Sequence, residues 1–142
     1  MYLFVYGTLL TSIPSRMSKF LRRRARLVGK GTVAGTLYDL GQYPGLALDG
    51  SGGRVKGELY ALEEATAAQT LELLDSYEGV TGEAEDEYLR SEVDVRVEDG
   101  GTFTSFAYSM TSAPASAPKI PRGDYGAFYR SSAEHQRFVN GE

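Results

Sequence analysis

Apolar and polar positions change period several times along the chain, and each change marks an element. Tyr2-Leu3-Phe4-Val5-Tyr6 is a short aromatic and β-branched run halted by Gly7, which predicts a buried first strand. Gly7 to Leu10 reads as a loop. From Ser15 onward, Met17, Phe20, Leu21 and Arg24 recur at three- and four-residue spacing, predicting a short amphipathic helix. Pro14 suits the start of that helix, because a missing N–H costs little in the first turn. Leu27 to Leu40 predicts a strand region broken by Gly29, Gly31 and Gly35, and Tyr43-Pro44-Gly45 is a turn signal. A short strand is expected at Leu46 to Leu48, then a turn at Ser51-Gly52-Gly53. Val55, Gly57, Leu59 and Ala61 alternate with Lys56, Glu58 and Tyr60, the pattern of a half-buried strand.

The second helix is the clearest element. Glu63 to Tyr77 is rich in Ala, Leu and Glu, with Ala67, Leu71 and Leu74 on one stripe and Gly79 as its stop. A polar, acidic loop follows at Thr81 to Glu87. Tyr88 to Glu98 then alternates, Asp99-Gly100-Gly101 signals a hairpin, and Thr102 to Met110 returns as the partner strand. Ala113 to Pro121 is expected to be an extended connector. Arg122 to Glu142 carries Tyr125, Phe128, Tyr129 and Phe138, too much apolar surface for a free tail. Part of residues 111–142 is therefore expected to pack back, the rest remaining mobile. No repeat or second domain is visible, so one domain over residues 1–142 is expected, of α+β class. The spread of 17 glycines suits a strongly curved sheet or small barrel.

Composition narrows the chemistry. The chain has no cysteine and one histidine, which removes thiolate metal sites, disulfides and a Cys nucleophile. His135 lies in a polar C-terminal stretch and is expected in solvent. A net charge of −4 lacks the basic footprint of a nucleic-acid binder. The local cluster Arg22, Arg23, Arg24 and Arg26 is read as a solvated helix face, with an interaction scaffold as the remote alternative. No stretch approaches the ~20 apolar residues of a membrane span, and a cytoplasmic location is expected. The sequence leaves the oligomeric state open.

Chemistry must come from carboxylates, hydroxyls and backbone amides. Two places stand out. At the end of the first strand, Tyr6-Gly7-Thr8-Leu9 can turn sharply and point successive N–H groups into a concavity that holds an anion. It is not a P-loop, since no Gly-Lys-Ser/Thr follows. At the end of the second helix, Asp75 and Glu78 lie three apart and near the negative end of the helix dipole, which raises carboxyl pKa values. Such a carboxyl is suited to taking up and returning protons near neutrality. A surface acidic helix terminus fits the same pattern. Glycoside hydrolysis also uses two carboxylates, but neighbours on one helix do not form opposing walls of a cleft.

These blocks also form a series. Tyr6-Gly7-Thr8-Leu9, Tyr43-Pro44-Gly45-Leu46, Val55-Lys56-Gly57-Glu58-Leu59-Tyr60, Leu74-Asp75-Ser76-Tyr77-Glu78-Gly79 and Tyr88-Leu89-Arg90, in this order, resemble the gamma-glutamylcyclotransferase-like, or AIG2-like, family. Gly123-Asp124-Tyr125 resembles its C-terminal segment. The resemblance implies a small mixed β-barrel with flanking helices and a pocket between the Tyr-Gly-Thr-Leu loop and the acidic motif. It implies Glu78 as catalytic proton acceptor, Tyr6, Gly7, Thr8 and Leu9 as substrate-binding residues, and Tyr88 beside them. Asp75 is expected to serve structure. The implied reaction cyclises a gamma-glutamyl amine or peptide to 5-oxoproline, with a small-molecule substrate and neither metal nor cofactor. A non-catalytic module binding a small carboxylate in the same pocket is the alternative.

Overall fold

The computed structural model describes residues 1–141. Its strands are β1 (Tyr2–Val5), β2 (Ala25–Ala34), β3 (Thr36–Asp39), β4 (Pro44–Ala47), β5 (Arg54–Leu62), β6 (Tyr88–Val97) and β7 (Thr102–Met110). β1, β5, β2, β6 and β7 close in that order into a barrel, and β3 and β4 form a separate two-stranded ribbon. The barrel is mixed because β1 meets β7 in parallel, at Leu3 and Phe106, while its other neighbours pair antiparallel. Helix α1 (Arg16–Arg24) joins β1 to β2, and α2 (Ala67–Glu78) joins β5 to β6. The small mixed barrel with flanking helices is the architecture the motifs implied.

Apolar alternation explains the strands, with Val93, Val95 and Val97 turned into the core from β6. Glycine explains the curvature. A Cβ at Gly57 would collide with the Val5 carbonyl oxygen and the Phe4 ring, so only glycine lets β5 cross β1 this closely. β2 runs unbroken through Gly29 and Gly31. A register shift against β5 between Leu27 and Gly29 bends the strand without ending it, where the glycines had suggested breaks.

Other boundaries differ from the sequence reading. Pro44 and Gly45 belong to β4, and the reversal comes earlier, where the Leu40 N–H donates to the Tyr43 carbonyl at 3.0 Å. Proline is tolerated there as the first residue of its strand. Pro14 precedes the cap of α1. Ser15 is the N-cap, and its hydroxyl accepts from the Ser18 N–H. On β5, Glu58 and Tyr60 were assigned to a polar face yet are only 8% and 1% exposed. The loop after β1 covers that face, with the Thr11 N–H and hydroxyl donating to the two Glu58 carboxylate oxygens at 2.8 and 2.7 Å.

α2 buries Ala67, Leu71 and Leu74 as its spacing predicts, at about 1.5–3 kcal/mol for each leucine. Residues Glu64–Thr66 form a 3-10 turn ahead of it, so the α-helix begins later than expected. Gly79 ends it at φ 72, a left-handed cap whose N–H donates to the Ser76 carbonyl at 3.2 Å.

The C-terminal segment packs on the ribbon and barrel through α3 (Tyr125–Tyr129) and α4 (Ala133–Val139), burying Ile120, Tyr125 and Tyr129. Glu142 lies outside the described residues. His135 corrects an expectation: it is 1% exposed rather than solvated. Its Nε2 lies 2.7 Å from Asp39 Oδ1 on β3, and its Nδ1 lies 2.9 Å from the Tyr125 hydroxyl. The network closes when Nε2–H donates to Asp39 and Nδ1 accepts from Tyr125. A partnered imidazole is compatible with burial; the sequence around it, polar at most positions, gives no sign of those partners. Arg22, Arg23 and Arg26 are exposed, and the Arg24 guanidinium lies over the Phe20 ring at 5.1 Å. No described helix is long and apolar enough to cross a membrane.

Candidate active site

β1 runs through the middle of the barrel wall and delivers the loop that follows it to one end. That loop is held from three directions. Gly7 and Leu10 carbonyls accept from the N–H groups of Leu10 and Ile13, both at 3.0 Å, giving two consecutive turns. Glu58 grips Thr11, and the Ser15 hydroxyl donates to the Thr8 carbonyl at 2.5 Å. Gly7 sits so close to the ribbon that a Cβ would stand 2.7 Å from Pro44 Cγ. Among the described residues, no protein acceptor meets the N–H groups of Gly7, Thr8 or Leu9.

The six residues singled out from the sequence, Tyr6, Gly7, Thr8, Leu9, Glu78 and Tyr88, line one cavity of about 280 Å³. The last turn of α2 reaches the loop there, and the Thr8 and Tyr77 hydroxyls lie 3.0 Å apart. Glu78 is half-buried and lines the cavity. Burial pushes its pKa up to about 7. Loss of solvent raises it, undiminished by any hydrogen bond to the carboxylate.

The tyrosines around it are committed elsewhere. Tyr6 donates to the Tyr108 carbonyl at 2.7 Å and accepts from the Leu46 N–H at 3.3 Å, tying barrel to ribbon. Tyr88 donates to the Pro44 carbonyl at 2.7 Å. Burial, reinforced by neighbouring groups including Glu78, pushes both phenols well above their ordinary values. They remain neutral donors. At the rim, Tyr43 donates to Glu87 Oε1 at 2.7 Å, and that bond, ahead of burial, pushes its pKa up to about 12.

Asp75, one turn before Glu78, faces away from this space. The Tyr108 hydroxyl donates to its Oδ1 at 2.6 Å, and Arg90 Nη1 bridges both oxygens at 3.2 and 3.1 Å. The pair was expected to share a face; three residues leave the two about 60° apart around the axis, and Tyr108 and Arg90 hold Asp75 while Glu78 lines the cavity. Sequence reasoning missed Tyr43, Glu87, Tyr108 and Phe138 in the cavity lining. Phe138 had one signal, the apolar excess of the C-terminal segment. Tyr108 had none, since its strand alternates like any other. Among the described residues, no cluster of three His, Asp or Glu is placed to hold a metal ion.

Several solved structures share this fold. One is an AIG2-like protein from Mus musculus, with a TM-score of 0.68 and 26% identity, over 87% of this chain and 86% of that one. Another, an uncharacterised protein from Pyrococcus horikoshii, has a TM-score of 0.64 and 21% identity over 92% and 94% of the two chains. A protein described as gamma-glutamyl cyclotransferase has a TM-score of 0.55 and 19% identity, covering 98% and 85%. Among curated proteins, none matches the sequence. The model of the family described as gamma-glutamyl cyclotransferase, AIG2-like, matches residues 3–127, a stretch that contains the loop, the acidic motif and Tyr88. With both arms of the cavity inside that match, the chain belongs to the gamma-glutamyl cyclotransferase, AIG2-like family.

Proposed function

We propose that the protein cyclises a γ-glutamyl amine or peptide to 5-oxoproline and releases the amine, with Glu78 moving the proton and the Tyr6–Leu9 loop holding the substrate. The observation that carries this reading is a single carboxyl, with its pKa pushed up to about 7, sharing a small cavity with three N–H groups that lack protein acceptors. Family membership supports it.

The chemistry asks for little more. The α-amino nitrogen of the substrate attacks its own γ-carbonyl carbon, closing a five-membered ring, and the bond from that carbon to the leaving nitrogen breaks. Two protons leave the α-ammonium nitrogen as it becomes the ring N–H, and two reach the departing nitrogen, which leaves as an ammonium. Holding the chain folded makes the attack intramolecular, an advantage equivalent to about 10⁵–10⁸ M of nucleophile. A carboxyl near 7 is half ionised at neutrality, and an α-amino group titrates near ~8, so Glu78 can take the proton and return it with little energy mismatch. The Gly7, Thr8 and Leu9 N–H groups supply donors for the substrate α-carboxylate or the developing oxyanion. Tyr6 and Tyr88 already donate to backbone carbonyls, so their rings form a braced wall against which the substrate lies. No step calls for a metal or cofactor.

The test is incubation of the full chain with γ-glutamyl amino acids, peptides and amines, with 5-oxoproline and free amine quantified together. Equimolar appearance of the two is expected. A panel of this breadth that yields no 5-oxoproline overturns the reading.

A further inference from the structure

The cavity beside Glu78, at about 280 Å³, lies just below the ~300–1,000 Å³ that small-molecule pockets span. With the γ-glutamyl group held against the loop, whatever is bonded to its γ-nitrogen extends toward the rim. At the rim stand the Tyr43 ring and the Glu87 carboxylate that it binds. Beside Tyr43, Phe138 lines the cavity with Ser76 and Tyr77, and these three also line a second depression of about 490 Å³, completed by Ser15, Arg16, Met17, Leu73 and Val139. Glu78 is the residue after Tyr77, so this passage starts beside the proton donor, where a departing nitrogen has to be.

The groove is apolar where a surface is expected to be polar. Leu73, Tyr77 and Phe138 are 44%, 40% and 39% exposed, and all three converge on it. Single exposed apolar side chains are ordinary; a cluster drawn from two separate helices next to a cavity marks a binding surface. Its outer wall is held in place. α4 carries Phe138 and Val139, and the buried His135 on the same helix bonds to Asp39 and Tyr125. Phe138 also packs on Tyr43 at 5.3 Å between ring centroids. Residues Ala133–Val139 lie beyond the stretch that matches the family model.

We infer that the groove between α1, α2 and α4 is the subsite for the leaving amine, and that the preferred substrates are γ-glutamyl amino acids with a bulky apolar side chain. The inference rests on the cyclisation reading above and adds the amine class to it. The apolar side chain lies against Met17, Leu73 and Phe138, and the carboxylate of the amine portion faces Arg16, the cation of the groove.

The test compares 5-oxoproline formation from γ-glutamylphenylalanine, γ-glutamylleucine and γ-glutamylglycine by the full chain. Expected is a kcat/KM advantage of the phenylalanine compound over the glycine compound of about 10–200-fold, the range that apolar pockets give, expressed mainly in KM. Leu73→Asp, at an exposed position, should drive that ratio toward unity. Arg16→Gln should weaken γ-glutamylphenylalanine relative to γ-glutamylphenethylamine, which lacks the carboxylate. Product from all three compounds at equal kcat/KM overturns the subsite and leaves the cyclisation standing. Product from none overturns the cyclisation, and the subsite with it. A preference that survives Leu73→Asp undiminished also overturns the groove's part, and the substrate ratio of the unmodified chain is decisive even if a variant fails to fold.

Discussion

The last turn of α2 sends two carboxylates into two regions of opposite character. Asp75 enters the barrel side, where Tyr108 and Arg90 supply three contacts of 2.6 to 3.2 Å. Glu78, three residues on, enters the cavity, where burial acts with no donor to offset it. A carboxylate surrounded by donors is held in place and serves as an anchor. One that loses water and gains nothing is left able to bind and release a proton near neutrality. The same side-chain chemistry, one helical turn apart, thus does two jobs, and the environment assigns them.

The harshest way to break this comparison is Glu78→Gln. The amide keeps the shape but cannot accept a proton from an ammonium group, so turnover should fall by about 10²–10⁴-fold or more while γ-glutamyl ligands still bind. Steady-state 5-oxoproline formation checks it, and a wild-type rate would remove Glu78 from the chemistry. In the unmodified chain, activity should rise with pH through about 7 as the carboxyl ionises.

The same variant predicts a stability effect of known sign. Glu78 has its folded pKa raised from 4.5 to about 7, so between these values the folded chain binds more protons than the unfolded one. Stability therefore falls as pH rises across that window, by up to about 3 kcal/mol in the limit of full burial and less in a cavity open to water. Urea melts should show wild type losing stability relative to Glu78→Gln between pH 5 and 8, by the order of magnitude this linkage sets. A difference that stays constant with pH would mean that the carboxyl is not desolvated.

Moving the wall opposite Glu78 sharpens the contrast. Gly7→Val places a side chain where even a Cβ stands 2.7 Å from Pro44 Cγ. Either β4 is pushed off, breaking the Tyr88 and Tyr6 bonds to it, or the loop withdraws from the cavity. Overpacking of this kind costs about 1–3 kcal/mol. Calorimetric affinity for a γ-glutamyl ligand should drop sharply, and unchanged affinity would exclude the loop from binding.

How much of this was legible beforehand follows from the range of each interaction. The hairpin from Tyr88 to Met110, the stripe on α2 and its glycine stop are local patterns, and the chain obeys them. The motif residues Tyr6–Leu9, Glu78 and Tyr88 were legible as a series and meet in one cavity. What escaped depends on partners distant in sequence. Glu58 looked like a surface residue because Thr11, its partner, is 47 positions away, and His135 looked solvated because Asp39 is 96 away. The separate roles of Asp75 and Glu78 were invisible in the same way. Spacing places both on the last turn, but only Arg90 and Tyr108 decide which is an anchor.

That last point yields the mildest expected effect. Asp75→Asn keeps an acceptor for the Tyr108 hydroxyl and removes the charge opposite Arg90. Both partners are partly exposed, with side chains 29% and 24% accessible for Arg90 and Asp75, so solvent screens the pair. A loss of about 1 kcal/mol in stability is expected, at the upper end for exposed ion pairs. Turnover should fall far less than in Glu78→Gln, because the helix end loosens without losing its proton carrier. The two variants, assayed on one substrate and melted under one condition, then separate anchor from carrier. Should Asp75→Asn abolish turnover at unchanged stability, Asp75 would belong to the chemistry, and the division between the two carboxylates would have to be redrawn.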